Sequence, residues 1–456
     1  MRKNLNKLIA IGMALNISAG CIPALAVNST ISDNKVNLAD STAVIYENLQ
    51  SKPVILCDTL VEKAKENSAK LALKSKEISM YKKKMNTQKD LNDEIGVSEL
   101  GTLKSDYSEY FLERTGDYYV DSYKININAA KQDKEFMEDK IARDIRDKYE
   151  EIVLMEIEVG KIKRELEVSS NTSKYAEVNV QTGYGTENTK LASDIAVKKL
   201  KNELSAKEDL LKNKKDYLGV LTDTDLSKYS FDYNLTYAPI TISDSDSYFD
   251  SKIDEYLKYK VQLLDLSEDY SDDLKDNIDD SPSEPTAPAK PDFTAITKLL
   301  NSDITAIGTP EGQEMLKKQS QKLKAQSEEY LKYTKEYIKY VQELNSYLKY
   351  LEIDYNVAAN NAELDDSRKL MKSKLEEAYS SLKDLENQID LMNDQFKYVN
   401  NNLLYAKVQK DTGMMTVNDY NDKVTQAEDL EIGLRQLVNG YNKLKDVIEK
   451  PWCSIG

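Results

Sequence analysis

The second half of this chain repeats the first. Residues 175–189, Tyr-Ala-Glu-Val-Asn-Val-Gln-Thr-Gly-Tyr-Gly-Thr-Glu-Asn-Thr, return as residues 405–419, Tyr-Ala-Lys-Val-Gln-Lys-Asp-Thr-Gly-Met-Met-Thr-Val-Asn-Asp. Tyr, Ala, Val, Thr, Gly, Thr and Asn recur at a constant offset of 230 positions. The register holds without a gap on both sides. Tyr149 matches Tyr379, Glu156 matches Glu386, Asn171 matches Asn401, and downstream Leu200 and Leu204 match Leu430 and Leu434. A period this long is too large for a solenoid unit. It predicts one helical hairpin, duplicated within the chain.

Apolar spacing supports helices in both copies. Ile141, Ile145, Tyr149, Ile152, Met155, Val159, Ile162 and Leu166 fall at intervals of three and four. The second copy runs Met371, Leu375, Tyr379, Leu382, Leu385, Ile389, Met392, Phe396 and Val399. Such seams make coiled-coil helices, and the first predicts a helix over residues 136–181. The return helices carry Leu191, Ile195, Leu200, Leu204 and Leu211 in copy one. In copy two they carry Ala427, Leu430, Leu434, Leu437, Tyr441, Leu444 and Ile448. Between outgoing and return helices, Gly183 and Gly413 suit the left-handed residue that ends a helix. Thr186 and Thr416 suit the cap of the next one, Thr416 with Asp419 three residues on. The same tip occurring twice on long helices marks Gly183, Tyr184, Gly185, Thr186, Gly413, Met414, Met415 and Thr416 as a docking surface as well as a turn.

Elsewhere the pattern is coarser. Asp58 is placed to cap a first helix running to about residue 88. Residues 95–130 are less regular, and Tyr123, Ile125 and Ile127 alternate as in one short strand. Phe231, Tyr233, Leu235 and Tyr237 form the best strand pattern, followed by a helix near residues 248–270. An acidic, proline-rich stretch at 281–291 reads as a linker, and residues 293–307 have a short helix-like pattern. A long helix begins near Pro310, with Tyr330, Tyr333, Tyr337, Tyr340, Leu344, Tyr347 and Leu351 along one side. Its simplest reading is a coiled-coil core whose hydroxyls reach water; the sharper one is an aromatic stripe for a glycan or a partner helix.

Composition removes several function classes. The formal charge is −16, and an acidic surface is repelled by phosphate backbones, so no nucleic-acid partner is expected. There is no histidine, which removes the commonest general base and most zinc sites. Gly183-Tyr184-Gly185 does not follow a strand and so is no phosphate loop. No nucleophile–base pair and no metal cluster can be named, so the expectation is a protein that is not an enzyme and uses no cofactor or metal.

Residues 1–26 read as a secretory signal peptide: Arg2, Lys3 and Lys7, then an apolar stretch, then Ala24-Leu25-Ala26. A competing lipoprotein box, Ser18-Ala19-Gly20-Cys21, would leave Cys21 lipidated. No later segment reaches the roughly 20 apolar residues of a transmembrane helix. Cys57 and Cys453 remain, a minimal even pair in an exported chain, open to a disulfide or to two free thiols.

A signal peptide, two long hairpins and a Tyr-x7-Gly-x2-Thr tip in each copy resemble the TolC-like outer-membrane efflux family, over about residues 50–230 and 310–450. The resemblance implies an all-α fold of long antiparallel coiled-coil hairpins in two internal repeats, an α-barrel protomer with few short strands. It implies a homo-oligomer, a trimer, that works as a duct with an adaptor protein and a membrane transporter of an export system. The tips 183–186 and 413–416 would meet the adaptor, and the location would be the cell envelope, the outer membrane in the family. The expected organisation is a signal peptide (1–26), a first repeat (27–270), a linker or insertion (271–310) and a second repeat (311–456). The family places paired membrane strands at positions corresponding to 95–130 and 271–310, where this sequence lacks lipid-facing alternation. The alternative expectation is therefore a non-conducting coiled-coil structural or interaction protein of the envelope.

Overall fold

The structure is a computed structural model, and it describes residues 36–37, 52–97, 106–234, 236–278, 284–292, 294 and 308–453. The expected signal peptide, Cys21, and most of the 293–307 pattern lie outside the described residues. In chain order the elements are β1 (Val36–Asn37), β2 (Val54–Ile55), α1 (Cys57–Glu66), α2 (Ala69–Val97), α3 (Asp106–Gln181), α4 (Glu187–Thr222), β3 (Ser230–Phe231), β4 (Thr236–Tyr237), α5 (Ser245–Ile278), α6 (Pro310–Asp411) and α7 (Val417–Glu449). Short 3-10 turns occupy Leu226–Lys228 and Pro451–Cys453. The fold is all-α, with antiparallel hairpins α3–α4 and α6–α7 related by the sequence repeat. None of the helices, among the described residues, is long and apolar enough to cross a membrane.

The chain forms two compact units. One consists of residues 1–73, 133–256 and 370–456, and the other of residues 74–132 and 257–369. The first unit holds residues 133–181 of α3 and 370–411 of α6 together with α4 and α7, and the seam read from the sequence is its core. Ile145, Tyr149, Ile152, Val159 and Ile162 of α3 are buried, as are Leu375, Leu382, Ile389 and Phe396 of α6. One cluster joins α1 (Leu60, Val61, Ala64) to α3 and to Leu218 of α4. A second joins Leu403 of α6 to Val424 and Ala427 of α7. The return helices differ. Ala427, Leu434, Tyr441 and Ile448 of α7 are buried, whereas Leu191 and Ile195 of α4, expected on the seam, are exposed.

Two strand pairs fasten the hairpin bases. β2 lies parallel to β3, with Ile55 opposite Phe231, and β1 runs antiparallel to β4, with Val36 opposite Tyr237. The strand expected over 231–237 is thus two two-residue strands with different partners. The Tyr149 hydroxyl holds this junction: it donates to the Ile55 carbonyl at 2.9 Å and accepts from the Asp232 amide at 2.6 Å.

Three other expectations are corrected. Asp58 does not cap α1; Leu56 occupies that place with no side-chain bond, and Asp58 sits in the first turn, where the helix dipole favours it. The helix expected to run from Asp58 to residue 88 breaks at Asn67–Ser68. Asn67 turns its amide to the Val220 and Leu221 carbonyls of α4, and Ser68 accepts from the Leu71 amide to start α2. The strand expected at 123–127 is helical, inside α3. Ile127 and Ala130 are both buried three residues apart, and Tyr123 lies 6.4 Å from Tyr81 of α2. The helical spacing 123, 127, 130 outweighs the alternation 123, 125, 127.

In the second unit, the α2 and α3 segments pack closely. A Cβ on Gly116 would meet the amide end of the Asn92 side chain, which would have to move aside. The α5 segment joins α3 through Tyr118 stacked on Tyr270 at 4.5 Å and an Arg114–Asp273 ion pair. Tyr350 and Ile353 of α6 pack on Tyr270 and Leu274. The tyrosine seam of α6 is only half covered: Tyr330 and Tyr337 are exposed, Tyr333, Tyr340 and Tyr347 are half-buried, and successive rings from Tyr330 to Tyr340 lie 5.9–6.5 Å apart with tilted planes. The inward face is displaced around the helix, where Ser346 is buried.

Candidate functional site

The two tips are built alike, bond for bond. In copy one the Gly183 amide donates to Val180 and the Tyr184 amide to Asn179, at 3.1 and 2.8 Å. In copy two the Gly413 amide donates to Lys410 and the Met414 amide to Gln409, at 3.0 and 2.8 Å. This is the Schellman pattern, which satisfies the last carbonyls of the outgoing helix and requires a left-handed residue. Gly183 has φ +81° and Gly413 φ +76°. Thr182 and Thr412 each donate a hydroxyl back to Val178 and Val408.

The next helix starts as the sequence predicts. Thr186 Oγ1 accepts from the Thr189 amide at 3.2 Å, and Thr416 Oγ1 accepts from the Asp419 amide at 3.1 Å. The Thr416 hydroxyl also donates to Asp419 Oδ2, and Thr186 meets Thr189 Oγ1. Gly185 and Met415 take matching places, both half-buried, with their amides on Asn179 and Gln409.

With both helix ends capped from within the turn, Tyr184 and Met414 are left to solvent. Tyr184 is 90% exposed and Met414 81%. The structure adds residues that sequence reasoning passed over as site members. Tyr175 and Tyr405, and Val178 and Val408, are exposed at matched positions one or two turns before the glycine. Their recurrence in the repeat was the available signal. Each tip therefore presents an aromatic, a valine and one larger apolar group, all wet, on a turn whose outgoing helix end and return helix start are both capped. Exposed apolar groups in such a cluster are suited to bury against a partner.

A second concave region lies at the hairpin base in the same unit, lined among others by Cys57, Arg146, Asp147, Glu150, Asp232 and Asp446. Burial lifts Glu150 to about 7, assisted by Asp232 and Asp147 and opposed by the Arg435 guanidinium. Burial also raises Asp147 and Asp446. Cys57 is pushed up to about 12 by burial and the nearby Glu150 carboxylate, and Cys453 to about 11 by burial and Asp139. Both stay protonated thiols at neutral pH and are poor nucleophiles. Both are free. Deeper between α3 and α7, Arg435 pairs with Glu431 and donates to the Tyr233 carbonyl, and Arg164 pairs with Glu428; Glu428, Glu431 and Arg435 are fully buried.

Fold and site together define a protein of duplicated coiled-coil hairpins with two equivalent tips. No family model matches the chain, and no curated protein matches it. Among solved structures it is similar to the outer membrane protein VceC of Vibrio cholerae, with 13% identity over 85% of this chain and 95% of that one and a TM-score of 0.46. It is similar to the Campylobacter jejuni CmeC outer membrane channel, with 11% identity over 95% and 94% and a TM-score of 0.48. It is also similar to the outer-membrane channel OprN, with 11% identity over 94% and 99% and a TM-score of 0.49. At this level of likeness nothing about activity passes from those channels to this chain.

Proposed function

We propose that this chain is a TolC-type duct component of an exported envelope assembly, whose paired tips dock an adaptor protein of a membrane pump. The observation that carries this is the recurrence of one tip, with the same backbone bonds and matched exposed side chains, at the ends of two long hairpins. A turn needs only its glycine and its cap. Matched exposed residues on each tip are explained by a partner that reads both.

Self-association into a homo-oligomer, a trimer in the family, has separate support in the same unit. Leu391, Tyr398 and Tyr405 of α6 are exposed at intervals of seven, and Leu191 and Ile195 of α4 are exposed as well. An apolar row at heptad spacing is the pattern of a helix that packs on another helix. In this proposal those rows meet between copies, and solutes pass through the enclosed bore with no chemistry. Acidic side chains along such a bore would favour cationic and neutral solutes.

The test is efflux in cells. Tyr184→Ser with Met414→Ser leaves every tip backbone bond intact and removes the exposed apolar groups. The expected result is retained folding, lost adaptor binding in a pull-down with the adaptor from the same export system, and at least tenfold slower dye efflux. Normal binding and efflux would refute the adaptor role.

The second reading is a non-conducting coiled-coil structural protein. It is favoured by the helical state of residues 106–130, where the resemblance places the first membrane strands. It predicts that gene loss changes envelope shape or adhesion while dye efflux stays normal.

A further inference from the structure

The second unit carries an exposed seam that the hairpin tips do not explain. Along α6, Leu316, Leu323, Tyr337 and Leu351 are exposed and separated by multiples of seven residues. Val341, Leu348 and Tyr355 form a companion row, also exposed and also at sevens. Val341 stands four residues after Tyr337, Leu348 three before Leu351 and Tyr355 four after Leu351. Together they make the alternating three-and-four seam of a left-handed coiled coil. A straight helix would drift off a strict seven-residue repeat by about 20° per heptad, so a row held to sevens over 36–40 residues fits a partner that supercoils with it. The occupant is therefore a helix lying alongside for about 60 Å, at 1.5 Å per residue.

Charge selects which helix. The N-terminal end of the seam is basic: residues 317–324 hold Lys317, Lys318, Lys322 and Lys324 and no acid. The C-terminal end is acidic: residues 343–354 hold Glu343, Glu352 and Asp354 against the single Lys349. Two copies laid parallel would set lysines on lysines and carboxylates on carboxylates. Two copies laid antiparallel, about a two-fold axis near residue 335, bring the basic end of each to the acidic end of the other.

The same axis matches the apolar rows. Leu316 falls opposite Tyr355 and Leu323 opposite Leu348. At the flank, Lys317 falls opposite Glu352 and Leu331 opposite Ile338, all four exposed in the single chain. A patch complementary to itself in this way is the requirement for an isologous contact.

We infer that residues 316–355 of α6 pair antiparallel with the same segment of a second copy of this chain. The contact is separate from the row at 391–405 and from the tips, and it does not depend on the duct reading.

The native full chain tests it directly. A mixture of unlabelled and 15N-labelled protein is treated with a carbodiimide, which joins a lysine to a carboxylate in contact, and the linked peptides are read by mass spectrometry. The expected product is a Lys317–Glu352 link with one labelled and one unlabelled end. Within one helix these residues are about 50 Å apart, so the link can arise only between copies. Absence of that link, or mixed-label links from Lys317 to acids of the N-terminal end of another copy, would overturn the antiparallel pairing. A second measurement uses Leu323→Glu with Leu348→Glu, both exposed and outside any core. Its helical circular dichroism should match the native chain while the mass by light scattering falls twofold. An unchanged mass in a helical variant would also overturn the proposal.

Discussion

Burial keeps Glu150 protonated to about pH 7 in the folded chain, against about 4.5 when exposed. The folded state thus binds a proton that the unfolded state has already lost between those values. Stability falls as pH rises through the window, and the loss is complete above about 7. A shift of this size corresponds to something on the order of 3 kcal/mol. Asp147 and Asp446, also raised by burial, act in the same direction. Glu150→Gln should be more stable than the native chain at pH 8 and show a flatter fall from pH 5 to pH 8 in urea unfolding. An identical pH dependence in the two proteins would discard the assignment. Tyr149→Phe tests the neighbouring junction. It leaves the Asp232 amide and the Ile55 carbonyl without their shared partner, at a cost of about 1–3 kcal/mol by denaturant midpoint. Little of this was legible in the sequence. Glu150, Glu428 and Glu431 look there like members of a solvated acidic face, because what buries them comes from residues far along the chain.

The helices divide into what local pattern reveals and what it does not. The α3 and α6 seams and both tips rest on spacings and residue types within a few turns, and these were legible. The break between α1 and α2 was not, since Asn67 ends the helix by reaching carbonyls of α4 more than 150 residues away. The tyrosines of α6 lie on the expected helix, but only Tyr333, Tyr340 and Tyr347 are half-buried, while Tyr330 and Tyr337 are exposed. Amphipathic spacing locates a stripe, and only the neighbouring helices decide whether it is covered. The caps offer a prediction at this scale. Thr186→Ala and Thr416→Ala should each cost about 1 kcal/mol of local stability. Amide exchange at residues 187–190 or 417–420 should then quicken about fivefold, while exchange at the α3 and α6 seams is unchanged. Equal exchange with and without the threonines would show that the caps contribute nothing.

Across the whole chain, sequence halves do not correspond to compact units. The hairpin-bearing unit draws on residues 133–256 from the first repeat and 370–456 from the second. Its interior joins them: Arg435 donates to Tyr233, the Ile240 amide donates to Tyr441, and Trp452 stacks on Phe136 at 4.1 Å and donates to Asp139. Residues 27–270 and 311–456 expressed separately should each be poorly folded, and their coexpression should recover a soluble complex. A well-folded, soluble half on its own would contradict this. The repeat was plain in the sequence, but the way the copies share one interior was not. Periodicity shows which face of a helix is apolar and is silent on which helix covers it.

The tips hold one further consequence. Their shape is fixed by main-chain bonds, one left-handed glycine and one threonine cap, and the outermost residues bear none of that burden. Tyr184 in one copy stands where Met414 stands in the other, on the same backbone. Evolution can therefore rewrite what each tip recognises without reopening how it folds. Because the gene carries two such tips, one can hold an existing partner while the other drifts toward a new one.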